Sequence, residues 1–161
     1  MKKISTMFLV VGMLFGVSAC GKTDDTQAQT RTGYIVIAED GLHFDAVEIV
    51  KQDDIERMKE LGLEQSQHYP NGFAIINAEQ EEEVLPFADD LQIQFVDTSL
   101  DFIDASEQDG NRVYQTNHID EFLRHRGSLN DVPLTEQKVP YNIMVKDGKV
   151  VEIIEELKYT M

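Results

Sequence analysis

The chain has 161 residues and carries 30 acidic against 14 basic side chains, a net charge of −16. That balance argues against nucleic acid, and against anionic headgroups as the source of membrane attachment, since both repel a polyanion. Cys20 is the only cysteine, so no intramolecular disulfide can form, and the length suits one domain behind a short leader.

In chain order, Met1-Lys2-Lys3 is a cationic head, Met7 to Val17 is apolar, and Val17-Ser18-Ala19-Cys20 closes the stretch with small side chains. An apolar run this short cannot cross a hydrocarbon core of about 30 Å as a permanent helix. A charged start, a short apolar core and small residues at the end describe a secretory signal. The closing tetrapeptide resembles the lipobox of bacterial lipoproteins, with Val17 where leucine is commoner. That resemblance implies diacylation of Cys20 after removal of residues 1–19. Removal takes away Lys2 and Lys3 and no acid, leaving a net charge of −18. The chain is then expected to be extracytoplasmic and lipid-anchored to the cell membrane, held through acyl chains on Cys20. Residues 20–32 hold the cysteine and a polar stretch of Thr, Gln and Asp with no aliphatic larger than Ala28, which reads as a flexible tether.

A single globular domain is expected over 33–161. Tyr34 to Ala38 is β-branched and aromatic, and Glu39-Asp40-Gly41 supplies a turn. Leu42 to Val50 continues extended, with a bulge or change of buried face near Ala46. Helical spacing then runs over 53–62. Asp53 is the expected N-cap, with Glu56 completing a capping box and Arg57 as its ion-pair partner. Ile55, Met58 and Leu61 form the expected buried stripe, and Gly62 ends the helix in the left-handed conformation with Leu63 beyond it.

Tyr69-Pro70-Asn71-Gly72 reads as a turn and Phe73 to Asn77 as a short strand, while the acidic run 79–83 reads as a solvated loop. Leu91 to Asp97 alternates cleanly, and 100–103 and 112–115 are expected to be two further short strands. Asn117 is placed to cap a second helix over 118–126, with Ile119, Phe122 and Leu123 inward and Gly127 at its end. Tyr141 to Val145 and Val150 to Ile154 flank Asp147-Gly148, a strong short hairpin signal. The predicted fold is α+β: a mainly antiparallel sheet or small half-open barrel of six to eight strands with two short helices.

The runs DDIERMKELGL, YPNGFAIIN and VPYNIMVKDGKVVEI resemble uncharacterised small lipoproteins of Bacillus-type bacteria over most of 34–156. The shared motifs are a capped helix, an Asn-Gly turn and an Asp-Gly turn. They imply a compartment and domain limits, and bring no activity, cofactor or catalytic residue with them.

Catalytic signatures are missing: there is no Gly-x-Ser-x-Gly, P-loop or His-Glu-x-x-His. His118, Glu121 and His125 lie on one side of the second helix, but two turns separate the histidines by about 10 Å along the axis. They read as a solvated flank. Asp97, Asp101, Asp104 and Asp109 raise calcium, for which carboxylates are suitable ligands. Started at Asp104, the loop places glycine at the seventh rather than the sixth position of an EF-hand, and an exposed acidic edge is the simpler reading. No cofactor is expected. The function expected is a non-catalytic binding module displayed to an envelope protein or peptide. A cation-binding envelope protein, or an enzyme without recognisable motif, is the alternative.

Overall fold

The computed structural model describes residues 27–63, 71–104, 106 and 110–156. Among them are nine strands, two α-helices and two 3₁₀ turns: β1 (Gln29–Ala38), β2 (Gly41–Ala46), β3 (Glu48–Lys51), α1 (Ile55–Glu60), β4 (Phe73–Ile76), β5 (Glu82–Leu85), β6 (Phe87–Val96), β7 (Val113–Thr116), α2 (Ile119–Arg126), the 3₁₀ turns Gly127–Asp131 and Leu134–Glu136, β8 (Tyr141–Lys146) and β9 (Lys149–Glu155). Seven strands form one sheet in the order β5-β2-β1-β8-β9-β6-β7, and β3 pairs with β4 in a second. All ladders are antiparallel except β6 with β9. The chain is thus α+β, with nine strands where the sequence suggests six to eight. No helix among the described residues is long and apolar enough to cross a membrane.

Only Pro86 separates β5, at one edge of the large sheet, from β6, which pairs with β9. In a flat sheet five strand spacings of about 4.8 Å would hold β5 and β6 some 24 Å apart. The step from Leu85 to Phe87 can span only about 7 Å. The sheet must therefore roll, and the Val150 N–H donating to the Pro86 carbonyl at 2.9 Å pins the corner against β9. No ladder joins β5 to β6, so the roll stays open. Its inside is lined by Ile35, Leu42, Phe44, Leu91, Ile93, Phe95, Ile143 and Ile153, with Phe122 of α2 against them. Each such side chain, fully withdrawn from water, contributes about 1.5–3 kcal/mol.

Three departures in the first half have local causes. β1 starts at Gln29 rather than inside 33–38, because Gln29 to Gly33 lie opposite Val145 to Tyr141 of β8. Four residues of the expected tether are strand. The extended run 42–50 splits at Val47, where β2 leaves the large sheet and β3 enters the small one, the change of partner that the imperfect alternation signals. The run 79–83 is not all loop: Glu82 and Glu83 open β5, opposite Asp45 and Phe44. Gly33 is required where β1 and β2 meet, since a Cβ there would fall 2.4 Å from the Asp45 carbonyl oxygen and 2.6 Å from the Phe44 ring.

Helix α1 is shorter than expected and capped one residue later. Asp54, not Asp53, accepts the Arg57 N–H at 3.1 Å. Arg57 turns to Glu48 and Glu60, not to Asp53. Ile55 is 63% exposed and lies outside the stripe, while Met58 is buried with Val50 and Ala74. The stop is as read: Gly62 has φ +64°, its N–H reaches the Lys59 carbonyl, and Leu63 N–H reaches that of Met58.

The β1–β8 ladder ends at Gly33 and Tyr141, and beyond it side chains take over the strand edge. Arg126 Nη2 donates to the Ile35 carbonyl at 2.9 Å. Asn130 accepts the Ile37 N–H at 2.9 Å and returns a bond to the Ile37 carbonyl at 3.0 Å. The amide of Asn130 behaves as one residue of a missing strand.

Candidate functional site

Where β6 ends, Asp97 begins a loop that returns to β7. No strand forms at 100–103. Asp97 is 1% exposed, and its carboxylate accepts the N–H groups of Asp101 at 3.0 Å and of Phe102 and Ile103 at 2.9 Å. A backbone hooked around a carboxylate cannot also lie in a ladder. Burial pushes the Asp97 carboxyl up, but the amide donors of Ile103, Phe102, Asp101 and Leu100 outweigh it and hold it below the usual range. At the base of the loop Asp97 N–H donates to the Arg112 carbonyl, and Arg112 Nη1 to that of Thr98 at 2.9 Å. Leu100 sits at φ +62°, a conformation that a leucine holds only when its surroundings fix it.

The hook delivers Phe102 onto Phe95, edge to face with centroids 5.1 Å apart, and beside Tyr114. The last turn of α2 completes the wall. Its helix is capped by His118 rather than Asn117, with the Thr116 hydroxyl accepting the His118 N–H. Arg124 lays its guanidinium 4.5 Å over the Phe102 ring. His125 stacks on Phe95 at 4.1 Å and 15°, and its Nε2 lies 3.0 Å from Glu155 Oε2.

That carboxylate is itself buried and accepts the Val96 N–H at 2.9 Å. Tyr141 bonds to it as well; burial first, then Glu155, against the opposing pull of Arg126, push the phenol up to about 12. His125 Nε2 is thus committed to Glu155, and the residue lines a cleft. The cleft has a volume of about 480 Å³, and Thr98, Ser99, Asp101, Arg124 and His125 are on its walls.

The expected solvated flank on α2 is therefore half wrong. His118 is exposed, but His125 is built into an aromatic cluster, and Glu121 accepts from the Thr116 hydroxyl at 2.5 Å and from Tyr114 at 3.3 Å. The reading of the four aspartates as one exposed edge fails at Asp97, whose oxygens are occupied by its own loop. Asp101 is exposed, Asp104 accepts both the N–H and the hydroxyl of Ser106, and Asp109 lies outside the described residues. Among the described residues no group of three or more His, Cys, Asp or Glu side chains is arranged to hold a metal ion. Cys20 also lies outside them.

A second cleft, of about 670 Å³, opens between the β2–β5 edge and α1. Its cations are already matched: Arg31 to Glu83 at 2.6 Å, and Arg57 through two nitrogens to Glu48 at 2.7 and 2.8 Å. Nearby, His43 bridges two carboxylates, with Nδ1 2.5 Å from Glu82 and Nε2 2.8 Å from Asp40. These bonds to Asp40 and Glu82 raise its pKa above the ordinary imidazole value.

The Asp97 hook leaves no periodicity in the sequence. The one available signal was an aspartate closing an apolar strand and followed by Thr-Ser, a composition that favours side-chain-to-backbone turns. Compared with described protein families, with curated proteins and with solved structures, the chain matches none.

Proposed function

We propose that this chain is a lipid-anchored, extracytoplasmic binding module, acylated at Cys20 and presenting the cleft between the 97–103 loop and α2 to an envelope peptide or small polar ligand. The observation that carries the binding part is how that cleft is built. Its two recognition groups are held from behind, Arg124 by an aromatic shelf and His125 by a buried carboxylate, so their ordering precedes any ligand. Binding is favoured over catalysis because, among the described residues, no hydroxyl or thiol is hydrogen-bonded to His125, the arrangement that would activate a nucleophile. The anchoring part rests on the short apolar run closed by Val17-Ser18-Ala19-Cys20.

Both parts can be tested in the cell of origin and on the purified chain. Cys20→Ala should abolish metabolic labelling with a palmitate analogue, and labelling that persists would end the lipoprotein reading. A thermal-shift screen of wall fragments, peptides and divalent cations should use a chain starting no later than residue 27, since β1 begins at Gln29. A hit that shifts wild type but not Arg124→Ala supports the cleft. A calcium-specific shift that sodium at equal ionic strength does not reproduce would turn the reading toward cation binding.

A further inference from the structure

Asp45 and Asp97 are both withdrawn from water, but they are supplied very differently. Asp97 collects three backbone N–H groups. Asp45, 3% exposed on β2, accepts one side-chain bond among the described residues, from Asn77 Nδ2 to its Oδ2 at 2.7 Å. The Asn77 amide is fixed in that sense, because its Oδ1 accepts the Gln80 N–H at 3.2 Å. Among the described residues no cation lies within ion-pair distance of Asp45. A carboxylate taken out of water with a single neutral donor is costly, and a cation offsets that cost.

Alternation along β2 sends Leu42 and Phe44 into the roll, and so puts His43 and Asp45 on its outer face. Asn77, directly after β4, closes over Asp45 there. Oδ1 is not sealed in: among the described residues, the fully enclosed side-chain atoms without a partner are both on Arg126. The opening is the cleft of about 670 Å³ that Asp45 lines.

Six carboxylates and two arginines line that cleft, and both arginines already face glutamates. Glu79 and Glu81 are in no ion pair among the described residues. Val47, Leu61 and Ile76 supply an apolar wall. An acidic lining, an apolar wall and one nearly buried carboxylate oxygen fit a cation carried on a methylene stem. Ammonium fits better than guanidinium, whose fork takes both oxygens of one carboxylate, and Asp45 has already given one to Asn77. A metal ion needs several converging ligands, and among the described residues no three acids or histidines are so arranged.

We propose that this second cleft binds an alkylammonium group, its nitrogen donating to Asp45 Oδ1 and its stem lying along Val47, Leu61 and Ile76. A free aliphatic diamine and the lysine side chain of a peptide share that chemistry. The site is separate from the 97–103 cleft and needs no acylation of Cys20.

The test is calorimetric titration of the full acylated chain in a non-ionic detergent, at fixed ionic strength. Cadaverine and Nα-acetyl-lysine amide form separate arms. Saturable binding of at least one is expected, and the tighter of the two identifies the source. Asp45→Asn, neutral and of the same shape, should weaken binding at least about tenfold, the loss of one charge-assisted hydrogen bond. Ala78→Lys, at an exposed position on the cleft wall, supplies a tethered ammonium and should also weaken it. Asp120→Asn, exposed on α2, should leave the affinity unchanged. Nα-acetyl-arginine amide should bind more weakly than its lysine counterpart. No binding of either amine, wild-type affinity in Asp45→Asn or in Ala78→Lys, or arginine bound as tightly as lysine would overturn the proposal. Should Asp45→Asn lose its near-ultraviolet circular dichroism, Ala78→Lys decides alone.

Discussion

Replacing Asp97 by Asn keeps the side chain's shape and removes its charge and one of its two acceptors. Oδ2 serves Phe102 and Ile103 together, and Oδ1 serves Asp101. Asparagine can direct its one carbonyl oxygen at the first two donors, which sets its NH₂ against the third. One donor without an acceptor in a buried setting costs about 1–3 kcal/mol. For a domain of this size that lowers Tm by roughly 3–12 °C. Urea denaturation of Asp97→Asn should report the loss, with Asp101→Asn, an exposed carboxylate on the same loop, within about ±0.5 kcal/mol.

The acid limb gives an independent reading. A carboxyl held below its ordinary value contributes stability that is complete above about pH 4 and is lost as pH falls through the folded-state pKa. That slope should shrink in Asp97→Asn and persist in Asp101→Asn. If the two variants lose stability equally, Asp97 does not organise the loop, and the account of the cleft built on it fails.

On α1, Met58→Asp puts an unpaired charge where the side chain is 6% exposed and should cost about 3–5 kcal/mol, while Ile55→Asp, at a position 63% exposed, should stay within about ±0.5 kcal/mol; chemical denaturation distinguishes the two. His43 should make the β2–β5 edge sensitive to alkali. Because its folded pKa is raised by Asp40 and Glu82, its stabilisation is complete below about pH 6.5 and fades as pH rises through the higher folded value. His43→Gln should flatten the stability profile between neutral and mildly alkaline pH, and a profile unchanged from wild type would show that the bridge contributes nothing.

What the sequence discloses here is what depends on near neighbours. The Asp147-Gly148 hairpin, the alternation of Leu91, Ile93 and Phe95, and the Gly62 stop are each decided within a few residues, and all three stand in the structure. β5 was concealed because an edge strand tolerates Glu82 and Glu83 on exposed positions, so it carries the composition of a loop. The first four residues of β1 were concealed for the same reason: a polar run can pair when a partner arrives from far along the chain. Phe102 and Ile103 looked like a strand because they are apolar, yet it is Asp97 that decides their backbone. His125 could not be read as supported, since Glu155, thirty positions away, becomes its partner only when β9 lies beside β6.

The place of β8 in the ladder has a consequence for the order in which this chain can assemble. β8 and β9 are the last strands in sequence and the middle strands in space. Thr32 meets Asn142 across 110 residues, so one side of β1 stays without a partner through almost the whole of synthesis. Until residue 141 emerges, β5-β2-β1 and β6-β7 have no ladder between them and are joined only through Pro86 and the side-chain bonds of Arg126 and Asn130 to β1. Contacts of such span make folding slow and late, and they set a direction of vulnerability: a chain cut short by twenty-one residues loses its keystone rather than its fringe, and leaves β1 as an open template for another chain.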